Sequence, residues 1–357
     1  MDGTPTAPPL DTVRIVTTVD LGQRPGQLLG RLQAMASVLA AQGWTLVVAH
    51  NDRNSAADIK LKRWSESRID PHRIQLVSGR FFDGPVNNAL LRNRAFEALD
   101  SRCDTIILMD VDLCPDHPLL MHLLRQSQSG HPIAMVPVLY LNAIGTLGMK
   151  RRLSADLLIH DFMSMRRRWT LHLALPSSFI AFRRSHLADC GLFDETYTGH
   201  GYEDFDFMIR LGLSSGVLKP NQDLLMDEKT SAPLLARGFR SCLGQIGLQS
   251  LLDRRIGLHS FHARSDMHAH RQAQADNRDR FQHRMAALQR TWPPTDPDRA
   301  DRADPVPPIL RTFYLLCHEQ GRSPHDLDAC LDARPGHLIR SGWRTRLLNH
   351  IAGAWSC

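Results

Sequence analysis

Three groups of acids and histidines stand out by type and spacing. Asp110 and Asp112 occupy alternate positions just after the apolar run Thr105-Ile106-Ile107-Leu108-Met109. Glu203, Asp204 and Asp206 crowd a glycine-rich stretch, Gly199-His200-Gly201-Tyr202, where an apolar helix begins. His259 and His262 follow Ile256-Gly257-Leu258. Two neighbouring carboxylates are costly unless a cation holds them. A hydrated divalent metal carrying a diphosphate suits such a pair, and an added imidazole favours Mn²⁺ over Mg²⁺. That metal would neutralise charge growing on a diphosphate leaving group. A separate carboxylate, Asp204, can take a proton from an attacking hydroxyl. Taken singly, each group has a plain structural reading: a solvated turn, a helix-cap acid, a core or surface histidine. Their joint occurrence favours the chemical one.

The elements that must position them follow from the hydrophobic pattern. Val13 to Val19 reads as a strand, Leu28 to Gln42 as a helix capped by Gly43, and Trp44 to Ala49 as a strand ending at Asn51-Asp52. A polar helix, a short strand (Ile74 to Val77) and a helix (Asn88 to Leu99) lead into the Asp110 strand. The order β-α-β-α-β-α-β predicts an α/β fold, a doubly wound, mostly parallel sheet with flanking helices. Ligands of such sheets lie outside the C-terminal strand ends, where Asp110 and Asp112 stand. The chain has no G-x-G-x-x-G and no G-x-x-x-x-G-K-[ST], so phosphate needs a holder other than a glycine cradle. Further on, Ile133 to Leu141 reads as one strand and Ser177 to Phe182 as another. Gly145 to Trp169 reads as a basic surface excursion, Leu243 to Leu252 as an amphipathic helix, and Asp266 to Gln289 as a polar helix.

Bulk properties set outer limits. The length of 357 residues exceeds one average domain. A formal charge of +6 suits anionic substrates or a membrane surface and is too diffuse to argue for nucleic acid. Seven cysteines without a C-x-x-C pair do not form a disulfide framework, which favours a reduced, cytoplasmic setting. Met1 to Asp11 is rich in Pro and Thr and lacks a signal pattern, and no run approaches the ~20 apolar residues of a membrane span. The expected organisation is a flexible terminus (1–11), a catalytic domain (12–290), a Pro/Asp/Arg-rich linker (291–308) and a small helical appendage (309–357).

The segment Val86-Asn87-Asn88-Ala89-Leu90-Leu91-Arg92-Asn93-Arg94, with Ile107 to Pro115, resembles the donor-binding half of metal-dependent GT-A glycosyltransferases. The likeness is to the β-1,4-galactosyltransferase type and to bacterial capsule and polysaccharide glycosyltransferases of the family-2-like group. Phe179 to Leu211, with its G-x-F-D-E turn (Gly191 to Glu195) and Glu203-Asp204, resembles the same enzymes, as does His259 to Phe281 with Asn277. Together these cover residues 13–290 in the family's order.

The resemblance implies a GT-A fold and transfer of a sugar from a UDP-sugar, of galactose or N-acetylhexosamine type, to a glycan hydroxyl in polysaccharide or glycoconjugate synthesis. It implies Asp112 as metal ligand, with His259 as the preferred second ligand and His262 as the alternative. Asp110 would contact the donor sugar or ribose, Asp204 would be the base, and Glu203 would hold the donor sugar or the acceptor hydroxyl. Thr17, Asp20, Arg24 and Asn51 fall at strand ends where base and ribose lie. Asn88 stands where the galactosyltransferase pattern has a nucleotide-binding arginine, so Arg92 or Arg24 would replace it. His200 and Tyr202 also depart from that pattern, and the longer spacing from Asp204 to His259 implies an inserted helix over the acceptor side. Asp204 at a helix start favours inversion, with retention as the alternative.

Two rivals come from other classes. A haloacid-dehalogenase-type phosphatase also uses Asp-x-Asp, but on its first strand. A silent nucleotide-sugar or glycan-binding module would keep the fold without needing all the acids and His259. The cationic, aromatic segment Gly342 to Trp355 reads either as a helix docked on the catalytic domain or as a peripheral contact with an anionic membrane, where lipid-linked acceptors reside.

Overall fold

A computed structural model describes residues 9–22, 24–68, 73–262, 267–292 and 306–333. Most of the expected linker and the segment from Gly342 to Trp355 lie outside the described residues. The first half runs β1 (Val13–Val19), α1 (Pro25–Ala41), β2 (Leu46–Asn51), α2 (Ala56–Arg68), β3 (Ile74–Gly79), α3 (Asn88–Glu97), β4 (Thr105–Leu108) and α4 (His117–Gln128). Then come β5 (Ile133–Met135), β6 (Val138–Leu141), α5 (Ala143–Lys150), α6 (Ala155–Met163), β7 (Thr170–Ala174), β8 (Ile180–Arg183), α7 (His186–Cys190) and α8 (Glu203–Ser214). The chain continues through β9 (Asp227–Glu228), β10 (Arg237–Gly238), α9 (Phe239–Gly244), α10 (Leu248–Leu252), β11 (Gly257–His259), α11 (Met267–Gln289) and α12 (Pro308–Glu319).

The main sheet has six strands in the order β3-β2-β1-β4-β8-β5. β1 to β4 run parallel, and β8 is antiparallel to both β4 and β5. All four residues of β4 and all six of β2 are buried, as expected for strands covered on both faces. α1 lays Leu28, Leu32, Met35 and Leu39 on one face of the sheet, joined there by Leu120 and Leu123 of α4. α3 and α8 cover the opposite face, where Phe193 stacks on Phe207 at 4.0 Å and Phe96 packs against both. The strand order reverses between β1 and β4, so a crevice opens at their C-terminal ends.

The second half corrects several sequence expectations. Ile133 to Leu141 is not one strand, because Pro137 lacks the donor a continuous ladder needs. The chain leaves the main sheet there and enters a second, three-stranded sheet, β11-β6-β7. The basic stretch from Gly145 to Trp169 is largely two helices, α5 and α6, and it buries Leu158, Phe162 and Asp161. Asp161 accepts from the backbone N–H and the side chain of Arg168, each at 2.7 Å, so the positive cluster is partly neutralised. The helix expected over Leu243 to Leu252 is broken into α9, a 3₁₀ turn and α10. α12 docks Ile309, Phe313 and Cys317 into the same core that α8 and α9 share.

Candidate active site

β4 delivers its acids to the crevice through a short exit that is stitched to β11. Leu113 and His259 form an antiparallel bridge, the Cys114 N–H donates to the Leu258 carbonyl at 2.9 Å, and the Ser260 N–H donates to the Asp112 carbonyl at 2.9 Å. That stitch brings Asp112, His259 and His262 together, with one potential ligand atom from each lying within 4.8 Å of the others. The Phe261 N–H donates to Thr146 Oγ1 at 2.7 Å, which fixes the turn between the two histidines. The His259 ring stacks on Tyr140 at 4.2 Å, and Tyr140 stacks on His172 at 4.5 Å.

Electrostatics at this cluster favour ligand forms. Burial pushes the Asp112 carboxyl up, but the Arg24 and Arg31 guanidiniums outweigh it and hold the group down at about 2. Burial lowers His262 to about 4, against the pull of Asp112, and burial lowers His259 too. Both imidazoles are therefore neutral near pH 7, the form that binds metals. His259 Nδ1 and His262 Nδ1 are buried without a hydrogen-bond partner in the structure. Orphaned nitrogens beside an ionised carboxylate are a donor set that fits Mn²⁺ or Mg²⁺.

A second cluster adjoins the first. The buried Arg92 guanidinium lies 3.4 Å from both Asp110 Oδ1 and Glu203 Oε1, with its carbon 5.0 Å from the Phe193 ring centroid. Ser178 Oγ donates to Asp110 Oδ2 at 2.9 Å. Glu203 and Asp204 open α8, where the helix dipole favours anions. Burial and the Glu203 charge push Asp204 up to about 6, while Arg92 pulls the other way. Backbone geometry sets this turn: Gly199, Gly201 and Tyr202 have φ of +80°, +92° and +74°. α11 clasps it, since Asn277 Nδ2 donates to the Thr198 carbonyl at 2.9 Å and Arg284 pairs with Asp194 at 2.6 Å.

The remaining expected residues lie at the ends of β1 and β2 with different surroundings. Thr17 is buried and its hydroxyl has no partner in the structure. Asp20 accepts a two-point contact from Arg53, at 2.8 and 2.7 Å. Asn51 is fully buried; its side-chain oxygen accepts from the N–H groups of Phe81 (3.0 Å) and Phe82 (3.2 Å), and its amide donates to the Phe82 carbonyl at 3.2 Å. Asn51 thereby shapes the loop after β3, Asp20 is held by Arg53, and the Arg24 guanidinium lies on Asp112. Arg53, Tyr140 and Ser178 carried no local sequence signal, and Arg31 little; each matters through where its element lies. Arg31 alone had a readable trace, sharing a helical face with Arg24.

An α/β sheet with an acid-and-histidine cluster at its switch point has the layout of a ligand-binding site. Residues 82–286 match the family described as glycosyltransferase like family 2, and the chain belongs to that family, which makes it a glycosyltransferase. The GT-A reading of the sequence agrees with the sheet order described above. No curated protein matches the chain. One similar solved structure is glucosyl-3-phosphoglycerate synthase from Mycobacterium tuberculosis with Mn²⁺, UDP-glucose and phosphoglyceric acid, at 13% identity, 85% of this chain, 91% of that chain and a TM-score of 0.40. The same synthase with Mn²⁺, UDP and glucosyl-3-phosphoglycerate gives 17% identity, 57% of this chain, 67% of that chain and 0.34. A variant of Drosophila β-1,4-galactosyltransferase 7 with manganese, UDP-Gal and xylobiose gives 18%, 55%, 60% and 0.29.

Proposed function

We propose that this glycosyltransferase moves a sugar from a UDP-sugar, of galactose or N-acetylhexosamine type, to a glycan hydroxyl, with inversion and with Asp204 as base. The observation that carries the reading is the convergence of Asp112, His259 and His262 at the sheet's switch point, with the Asp110–Arg92–Glu203 bridge leading to Asp204. Asp112 and the two histidines would hold Mn²⁺ or Mg²⁺, which supplies Lewis-acid stabilisation of the departing diphosphate. Arg92 and Ser178 orient Asp110 toward the donor side. Glu203, anchored by Arg92, orients a sugar or acceptor hydroxyl. Asp204 accepts the hydroxyl proton as the oxygen attacks the anomeric carbon from the face opposite the diphosphate. α11 and the turn it clasps would exclude water from that face.

Polysaccharide or glycoconjugate synthesis in the cytoplasm, with a glycan or lipid-linked acceptor, belongs to the same reading. The charge of +6 suits an anionic acceptor or peripheral membrane contact. No described helix is long and apolar enough to cross a membrane. The test is UDP release from a panel of nucleotide sugars with and without Mn²⁺. The expected result is metal-dependent release that Asp112→Ala and His259→Ala abolish. Release of phosphate from simple esters, or turnover indifferent to both substitutions, would sink the reading.

A further inference from the structure

Arg24, at the N-cap of α1, and Arg31, within it, lie along one face of the helix. Both guanidiniums close on the Asp112 carboxylate. Arg24 Nη2 stands 3.0 Å from Oδ2 and its Nη1 3.5 Å from Oδ1, and Arg31 Nη1 donates to Oδ1 as well. The other branch of Arg31 donates to the Phe261 carbonyl, in the turn between His259 and His262. The two oxygens that would ligate a divalent cation are thus the two oxygens that the guanidiniums hold. A guanidinium keeps its charge at any pH a protein survives. Its planar fork matches phosphate oxygens as well as it matches a carboxylate.

We propose that Arg24 and Arg31 make divalent-metal binding at Asp112 conditional on a nucleoside diphosphate. The proposal rests on the reading of Asp112, His259 and His262 as metal ligands. A cation entering among those side chains competes with two fixed positive charges for one carboxylate, and it is repelled by both. A diphosphate offers anionic oxygens to which the two forks turn, which frees Asp112 and offsets the positive charge around it. Metal and nucleotide therefore bind with positive coupling, and each raises the affinity of the other by the same factor. The arginines act as selectors: a lone divalent cation is held weakly, and the metal–diphosphate pair is held tightly.

The experiment titrates the full chain with MnCl₂ and reads free Mn²⁺ by electron paramagnetic resonance. Wild type is compared with Arg24→Gln, Arg31→Gln and the double variant, first without nucleotide because UDP chelates Mn²⁺ by itself. The variants are expected to bind Mn²⁺ alone about 5–150-fold tighter than wild type, the usual size of a coupling between sites. Arg31→Lys, which keeps the charge, is expected to stay close to wild type. Equal or weaker Mn²⁺ binding in the glutamine variants overturns the proposal and leaves the metal reading standing. No Mn²⁺ binding in any protein, with or without UDP, overturns both. A second measurement needs no variant: in wild type the cycle of protein, Mn²⁺ and UDP must show coupling beyond the Mn²⁺–UDP chelation of free solution. Coupling no larger than that chelation also overturns the proposal.

Discussion

Asp204 holds its proton to a higher pH than an ordinary aspartate because burial and the neighbouring Glu203 both disfavour its charge, leaving it at about 6. A base works only when deprotonated, so kcat is expected to rise as pH climbs through about 6 and then level. Arg92 is the main group opposing that rise. Its replacement by Met removes a positive charge from beside Asp110 and Glu203, so the acidic limb of the kcat profile should move to higher pH. A limb that stays in place, measured over pH 5–8, would separate Arg92 from the base. At this scale the sequence was informative about acids and histidines, whose types announce their chemistry. It was poor on their partners. That the Arg92 and Arg24 guanidiniums lie on acids of this chain was not legible in either neighbourhood.

The turn entering α8 shows how an element positions a residue. Gly199 has φ of +80°, and a Cβ there would stand 2.5 Å from the Cβ of Ala273 on α11. Gly199→Ala is expected to lower stability by about 1–3 kcal/mol, from crowding and a left-handed backbone together. Measured against Ala273→Gly alone, which carries the helix cost of about 1 kcal/mol, Gly199→Ala should cost less in a denaturant titration because the steric part is gone; an unchanged cost would mean the two elements are not in contact. The first four strands and their helices were legible because their periodicity is local: Leu28, Leu32, Met35 and Leu39 mark one face of α1 without help from the rest of the fold. Pro137 was a legible break that an apolar run concealed. The stitch between Leu113 and His259 could not be read, since it joins residues far apart in the sequence and leaves no trace in either neighbourhood. Without it, His259 and Asp112 remain two separate clues.

Across the described residues, one core reaches from the sheet to α12. Phe313 of α12 is fully buried in the cluster that also holds Phe239 and Leu243 of α9. Phe313→Ala is expected to cost about 3–5 kcal/mol. If α12 and the sheet form one cooperative unit, the loss appears as a shift of a single unfolding transition rather than as an early, separate one. Calorimetry distinguishes the two. This continuity was not legible, because a Pro/Asp/Arg-rich stretch precedes α12 and its partners come from the segment around residues 233–252. The molecule thereby gathers acids from the exit of β4 and the start of α8, and histidines from β11 and the turn after it, around one crevice. The central claim is that Asp204 takes the acceptor's proton there while Asp112 and the histidines serve the donor. Its most direct test is Asp204→Asn, with UDP affinity and sugar transfer measured on the same preparation once a donor is in hand. UDP affinity is expected to hold while transfer falls by about 10²–10⁴-fold, the usual worth of a general base. Transfer near the wild-type rate, with UDP still bound, would contradict the account.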